Sequence, residues 1–310
     1  MIPNTFPTMP TECPAQGVYY DVAPTEYFRW AAWNQSTLKN FGKWDDLSRT
    51  IIPAPDKNGG GRSPAHALAE LNDPSPATES QDFGTAYHRL ILEPSRFLKT
   101  CIQVDDINKR TNEGKARWAS LVAQYGEDCI LTPEKWELFH AMARTAAADP
   151  NARKLIGAIG HTEVSVAWTD AKTGAQCKTR IDKVIAHNRH VLVDLKTARC
   201  SHWDRFQWDA ADYGYDVQGA ANVDGYAAAT GVDPDLIDFF LIVQEKSRPF
   251  EVVVYKMPPA WIDSGRVKFY AALRLAEKCL KTNNWPGYAS GRIVDLHLPD
   301  RDMAIDEAAA

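Results

Sequence analysis

A carboxylate and an ammonium group stand two positions apart in the apolar segment VLVDLKTARC, residues 191–200. Side chains alternate between the two faces of a β-strand, so Asp194 and Lys196 share one face with Leu192. The spacing predicts a carboxylate and an amine held side by side near the end of a buried strand. An ion pair at a sheet end is the ordinary explanation of an isolated D-x-K pattern, so the case for chemistry depends on other residues.

A second carboxylate lies on the preceding predicted strand, AQCKTRIDKVIA, residues 175–186. There Asp182 is expected to share a face with Lys178 and Arg180, opposite Ile181 and Ile185. The turn at 187–189 is short, so the two strands form a hairpin that brings Asp182 near Asp194. Two close carboxylates repel each other unless a cation lies between them, and Mg²⁺ with oxygen ligands satisfies that requirement. A lysine beside such a site can orient or deprotonate a water, or hold a phosphate oxygen.

The pattern D-(x₁₁)-D-L-K on a hairpin followed by helix resembles the PD-(D/E)XK nucleases, and within them the RecE-like group of phage exodeoxyribonucleases. The resemblance covers about residues 25–290 and extends to further segments in the same order. They are SPAH (63–66), FGTAYHRLILEP (83–94), INKRTNEGKARW (107–118), YDVQGAANVDGYAAATG (215–231) and EKSRPFEVVVY (245–255).

The resemblance implies a divalent-metal site. Asp182 and Asp194 would ligate the ion, with help from His88 in the G-T-A-x-H segment and from the Leu195 carbonyl. Lys196 would stabilise the attacking hydroxide or the scissile phosphate. On its own, a histidine on an apolar helix is more often a packed core residue.

Three further positions follow from the same resemblance. Gln218, on the helix after the hairpin, would support the site or contact DNA; a plain surface amide is the alternative. Relatives often carry a tyrosine four residues later, where this chain has Asn222, and Tyr226 could replace it because it lies one helical turn further on. Glu163 could be an accessory carboxylate, although an ordinary surface glutamate is the more frequent case.

A polar, basic stretch without clear periodicity runs over residues 104–118 and is predicted to be a mobile arm. It contains Lys109, Arg110, Lys115 and Arg117. Such a cluster is usually a solvated surface, but it could also contact DNA phosphates.

The order of predicted elements indicates an α/β (α+β) fold with a mixed central sheet flanked by helices, as in restriction-endonuclease-like PD-(D/E)XK cores. A helix or two is expected over 25–48, with further helices over 64–72, 80–92 and 133–148, in one stretch over 203–229, and over 259–282. Strands are expected over 162–168, 175–186, 190–197, 235–243 and 250–256. A flexible tail over 1–24 and a polar tail over 291–310 would flank one nuclease domain, with a helical part over 25–160, a sheet core over 161–258 and a terminal helix over 259–283.

Bulk composition excludes several classes. The 310 residues are 45% hydrophobic and 24% charged, with a net charge of −5, and no apolar run is long enough for a transmembrane helix. The N-terminus does not resemble a signal peptide. The six cysteines form no C-x-x-C pair, so reduced thiols are expected rather than an iron–sulfur cluster. No nucleotide cofactor is indicated.

Taken together, the resemblance implies a Mg²⁺-dependent deoxyribonuclease that accepts Mn²⁺ as a substitute. The expected activity is a 5′→3′ double-strand exonuclease of phage or prophage recombination, which leaves 3′ single-stranded tails in the cytoplasm of a bacterial host. The expected partners are DNA ends, other copies in a ring and a single-strand annealing recombinase. The alternatives are a nuclease of other polarity or substrate, a non-catalytic DNA-end-binding relative, and a hydrolase of small phosphoesters.

Overall fold

The computed structural model describes residues 12–56, 59–76 and 78–296. Most of the two predicted tails therefore lies outside the described residues, namely 1–11 and 297–310. The part of the N-terminal tail that is described is not a flexible segment throughout, because residues 17–19 pair with the central sheet.

A six-stranded mixed sheet forms the centre of the fold. Its strands, in their order across the sheet, are β1 (Gly17–Tyr19), β8 (His161–Thr169), β9 (Gln176–Ala186), β10 (His190–Ala198), β11 (Ile237–Glu245) and β12 (Val252–Lys256). Strands β10 and β11 run parallel, and the other neighbours are antiparallel.

Three short ribbons lie outside this sheet and were not predicted. They are formed by β2 (Lys43–Asp45) with β3 (Thr50–Ile52), β4 (Ala54–Pro55) with β5 (Gly61–Arg62), and β6 (Ile102–Gln103) with β7 (Ile130–Leu131). The last ribbon is parallel and pairs Ile102 with Ile130.

The helices predicted over 64–72, 80–92, 133–148 and 259–282 are present with bounds within one residue of the prediction. The described α-helices are α1 (Pro24–Arg29), α2 (Gln35–Leu38), α3 (Pro64–Asn72), α4 (Glu79–Leu92), α5 (Pro94–Thr100), α6 (Asn112–Tyr125), α7 (Pro133–Ala148), α8 (Pro150–Gly157), α9 (Trp203–Tyr213), α10 (Tyr215–Thr230) and α11 (Pro259–Thr282). None of them is long and apolar enough to cross a membrane.

Alternating apolar residues of the strands pack into helical layers on the two faces of the sheet. On one face, Val164 and Leu192 share a core with α10 and α11. On the other, Val193 and Leu195 share a core with α4 and α7. A mixed sheet covered by helices on both faces confirms the predicted fold class.

Three predictions were wrong. The stretch 25–48 is α-helical only in the short α1 and α2, and its last part contains the strand β2. The stretch 203–229 is two helices, because Gly214 adopts a left-handed conformation with φ 72° and ends α9 before α10 begins. The basic stretch predicted as a mobile arm contains the start of α6, whose first turn is capped by the Thr111 hydroxyl.

Candidate active site

Three carboxylates lie in one row across β8, β9 and β10. Lys183 of β9 pairs with the residue before Glu163 on β8 and with the residue before Asp194 on β10. Asp182, one position earlier on β9, therefore lies level with both acidic residues. The regular strand pairing is interrupted at this row: Glu163 and Asp182 are not a paired position of β8 and β9, and the pairing of β9 with β10 ends at Lys183.

The interruption coincides with a change of face along β9. Ile181 packs in the core with α10 and α11, whereas Ile185 packs in the core with α4 and α7. The prediction that these two residues share a face is wrong, because strict alternation fails at the kink between them. Glu163, opposite the kink, adopts φ 52°, an unfavourable backbone conformation for a residue with a side chain. The kink lets side chains from both sides of the sheet approach one row.

His88 on α4 completes a group of three potential metal donors. Its Nδ1 lies 3.3 Å from Asp182 Oδ2, and donor atoms of His88, Glu163 and Asp182 all lie within 4.8 Å of one another. The position of α4 is fixed by a capping box at Thr78 and by burial of the neighbouring Tyr87. Two carboxylates and an imidazole form a donor set that can hold a divalent ion.

The electrostatics of this group are those of a cation site. Burial, and then the charges of Asp194 and Glu163, raise the pKa of the Asp182 carboxyl well above its usual range. Burial lowers the pKa of His88 and favours the neutral imidazole, the form that ligates metals. The Leu195 amide N–H donates to Asp182 Oδ2 at 2.8 Å. The structure thus shows the Leu195 amide at the site, while a ligand role for its carbonyl stays a prediction.

Asp194 belongs to a different contact network. Its Oδ2 lies 2.6 Å from Lys196 Nζ, and its Oδ1 accepts a hydrogen bond of 2.6 Å from Gln218 Nε2. Lys196 Nζ in turn donates to Gln218 Oε1 at 2.9 Å. The structure groups Glu163 with His88 and Asp182, so Glu163 joins the candidate donors, and a metal-ligand role for Asp194 stays a prediction. Asp194 is close enough for its charge to act on Asp182.

Lys196 is held as a cation. Burial alone would lower the pKa of its ammonium group, but nearby carboxylates, Asp194 foremost, outweigh burial and raise the pKa. The ring of Tyr215, the first residue of α10, lies 4.7 Å from Lys196 Nζ and adds a cation–π contact. Sequence reasoning assigned Tyr215 no role, although its place three residues before Gln218 puts both on one face of α10.

Glu163 is not an ordinary surface glutamate. Its Oε2 accepts a bond of 2.7 Å from Arg180 Nε, and its side chain is 26% exposed. Arg180 holds the carboxylate beside Asp182 and offsets part of the negative charge of the row. Its accessory role was one of the two predicted alternatives, and this geometry favours it.

Tyr226 and Asn222 lie away from this site. Tyr226 is 4% exposed, and its hydroxyl lies 2.9 Å from His190 Nδ1. His190 begins β10, whereas Lys196 lies near its other end. Asn222 is buried against the Thr179 hydroxyl. The structure contradicts a DNA contact by Tyr226, because the helix that carries it turns this residue into the core.

The four predicted DNA-binding residues are exposed, and one of them, Lys109, lines an acidic cavity. Lys109 and Arg110 precede α6, and Lys115 and Arg117 lie on it. The Lys109 ammonium stands 3.1 Å from the centre of the Trp118 ring. Both residues line a cavity of about 410 Å³ that also has six carboxylate residues in its wall, namely Glu79, Asp82, Asp105, Asp106, Glu127 and Asp128.

A cleft of mixed charge that sequence reasoning missed lies near Lys196. It has a volume of about 900 Å³, and its wall carries the cations of Lys39, Arg62 and Lys178 together with the carboxylates of Asp56, Glu70 and Asp73. Burial and the positive charges of Arg62 and Lys196 lower the pKa of Lys39. The guanidinium of Arg62 lies 3.9 Å from Asp56, so one of these cations is already paired. The sequence offers no signal for this cleft, because Lys39 and Arg62 lie far from Lys196 along the chain.

The fold and the site define a PD-(D/E)XK-like protein. Residues 35–294 match the family described as PDDEXK-like domain of unknown function (DUF3799). The chain belongs to this family.

One solved structure with a similar fold carries an exonuclease name. It is a candidate exonuclease from Eubacterium rectale, with 13% sequence identity and a TM-score of 0.52, over 92% of this chain and 98% of that one. An identity this low shows the fold alone. An alkaline exonuclease from Laribacter hongkongensis has 14% identity over 61% of this chain and 95% of that one, but its TM-score of 0.26 does not establish a shared fold. No curated protein sequence matches the chain.

Proposed function

We propose that this protein is a metal-dependent deoxyribonuclease that hydrolyses DNA phosphodiester bonds. The observation that carries the proposal is the convergence of His88, Glu163 and Asp182 donors within 4.8 Å, beside a lysine fixed by Asp194 and Gln218. The proposed nuclease unit is the single domain predicted over residues 25–290.

The three donors fit a divalent cation. The carboxylates of Glu163 and Asp194 lie close enough to Asp182 to raise its pKa, in addition to the effect of burial. The three negative charges therefore repel one another, and a bound cation would relieve that repulsion. Oxygen donors suit Mg²⁺, and the added imidazole is compatible with Mn²⁺. When bound, the ion would supply Lewis-acid stabilisation of the negative charge on the scissile phosphate.

The residues of the chain supply orientation and a hydrogen-bond donor. Lys196 has a raised pKa, so near neutral pH it is an ammonium group that donates to a phosphate oxygen or to the attacking water. This geometry favours the donor role over the alternative that the lysine deprotonates a water. Asp194 and Gln218 fix the position of Nζ through bonds of 2.6 Å and 2.9 Å, and Tyr215 covers it.

The finer assignment is a 5′→3′ double-strand exonuclease of the RecE-like group, acting in phage or prophage recombination. Its support is the order of sequence segments, together with the shared fold of the candidate exonuclease from Eubacterium rectale. Mg²⁺ as the ion, a homo-oligomeric ring and an annealing recombinase as partner belong to the same proposal. The non-catalytic alternative is disfavoured because Asp182, Asp194 and Lys196 are all present.

Linear duplexes labelled at the 5′ or the 3′ end test the assignment. Each is incubated with the purified full chain, with Mg²⁺ or with EDTA, beside a matched single strand and a closed circular duplex. We expect metal-dependent loss of the 5′ label as mononucleotides while the 3′ label stays on long products. Early loss of the 3′ label would reverse the polarity, and cutting of the circle would indicate an endonuclease. Turnover of small phosphoesters without DNA cleavage would contradict the nuclease proposal.

The four exposed basic residues before and on α6 give a second prediction. If Lys109, Arg110, Lys115 and Arg117 bind phosphates, replacing them with glutamine should reduce the log–log salt slope of DNA binding by about 0.9 for each phosphate that is no longer neutralised. KM should rise, while kcat at saturating DNA should stay within about twofold. Binding to a duplex end is measured across a salt series in the Asp194→Asn background.

The control replaces the exposed pair Arg153 and Lys154 of α8 with glutamine in the same background. An unchanged slope in the fourfold variant would make the segment a solvated surface. The cleft lined by Lys39 and Arg62 would then be the next surface to test for DNA binding.

A further inference from the structure

A pair of thiols lies beside α4, in contact with Arg89 of that helix. The sulfurs of Cys101 and Cys129 are 3.0 Å apart and buried. The guanidinium of Arg89 contacts both sulfurs and also lies 3.3 Å from Asp128 Oδ2.

The backbone brings the two cysteines together. Cys101 directly precedes β6 and Cys129 directly precedes β7, and these strands pair in parallel with Ile102 opposite Ile130. The residues just before the paired positions are therefore neighbours, whichever rotamers their side chains adopt. Because the proximity is fixed by strand pairing, bond formation between the sulfurs needs little movement of the chain.

The charges favour thiol chemistry over metal binding. The hydrogen bond with Cys129, together with Arg89, lowers the pKa of the Cys101 thiol, whereas the pKa of Cys129 is raised. Arg89 occupies the position beside both sulfurs with a fixed positive charge, which opposes a cation there. A thiolate next to a guanidinium and a second thiol is the arrangement of an attacking and a resolving cysteine.

We infer that Cys101 and Cys129 form a reversible disulfide by exchange with small-molecule disulfides such as oxidised glutathione. The Cys101 thiolate attacks one sulfur of the small disulfide and expels a thiolate. Cys129 then attacks the mixed disulfide at Cys101 and expels the second thiolate. Two protein thiols are oxidised, one small disulfide is reduced, and the two protons end on the two released thiols.

The bond would close the segment between the two cysteines, which are 28 positions apart. That segment contains α6 and the exposed Lys109, Arg110, Lys115 and Arg117. Closing a loop of this length should raise Tm by about 5 °C in the oxidised protein. The inference does not depend on the proposed nuclease activity, because its readouts are chemical and structural.

The test is a count of free thiols in the full chain across a glutathione redox series, after quenching and denaturation. We expect six thiols at the reducing end and four at the oxidising end, since the chain has six cysteines. Reduction should restore all six. A count that stays at six, or a mixed disulfide that persists on Cys101, would overturn the inference.

Proteolysis identifies the bonded pair. Trypsin can cut the native chain at the exposed basic residues between the two cysteines. On a non-reducing gel the two pieces of the oxidised protein should stay joined, and a reductant should separate them. In Cys101→Ser and Cys129→Ser the pieces should separate without reductant. Cys200→Ser, a half-buried cysteine outside the pair, should behave as the unchanged protein, and loss of the link there would contradict the assignment.

Discussion

Lys196→Ala is expected to lower kcat for DNA cleavage by about 10³-fold at saturating metal. The substitution removes the ammonium donor that Asp194 and Gln218 hold in place. In oxyanion holes, the loss of one such preorganised donor lowers kcat by about 10²–10³-fold, and a loss of the same order is expected here. KM for DNA should change much less, because one ammonium is a small part of a phosphate-binding surface. Single-turnover cleavage of a linear duplex measures the effect.

Lys268→Ala is the matched control for this prediction. Lys268 pairs with Asp216, whose side chain is 5% exposed, as Lys196 pairs with Asp194, whose side chain is 2% exposed. Each substitution leaves a buried aspartate without its cation, so each should cost about 3 kcal/mol of stability. Only Lys196→Ala should lose turnover at a temperature where both variants are folded. Equal turnover in the two variants would reduce D-x-K here to a structural ion pair.

Asp182→Asn should abolish both cleavage and the stabilisation by divalent metal. Asp182 lies 3.3 Å from His88 Nδ1 and has a donor atom within 4.8 Å of one on Glu163. In the unchanged protein, an ion present at 100 times its Kd should add about 2.7 kcal/mol of stability. Thermal unfolding with Mn²⁺ or EDTA measures the gain, and Asp204→Asn, an exposed carboxylate with 77% exposure, serves as control. A full metal-dependent gain in Asp182→Asn would place the ion elsewhere.

The same variant should be more stable than the unchanged chain when metal is absent. The pKa of Asp182 is raised in the folded protein above its value of 3.8 when exposed. The unfolded chain thus loses this proton first, so the folded state loses stability as pH rises from about 4 up to the folded pKa. Asparagine does not ionise, so Asp182→Asn does not lose this stability. In EDTA its Tm should exceed that of the unchanged chain at a pH above the folded pKa of Asp182, and the two Tm values should be equal at pH 3.

Local pattern was enough to predict the central part of the fold and site. The hairpin of β9 and β10 follows from a short turn between two apolar strands, and alternation places Asp194 beside Lys196. The ion pair of 2.6 Å between them agrees with that derivation. The helix predicted over 133–148 is α7, which begins at Pro133 after a cap by the Thr132 side chain.

The residues that were missed, left open between two roles or wrongly placed depend on tertiary contacts. Glu163 joins His88 and Asp182 because β8 and β9 kink together, and alternation cannot predict a kink. The neighbouring sulfurs of Cys101 and Cys129 result from a two-residue parallel ribbon that is too short to leave a periodic pattern. Tyr226 was misplaced because helical spacing gives a face of α10 but does not say which face meets the core.

The most direct test is digestion of a linear duplex by the purified chain with Mg²⁺, with Mn²⁺ and with EDTA, beside Asp182→Asn prepared in parallel. We expect the unchanged chain to release nucleotides only with metal, and Asp182→Asn to release none while it stays folded. Equal digestion in EDTA, or equal digestion by the folded variant, would contradict a metal-dependent nuclease site at His88, Glu163 and Asp182.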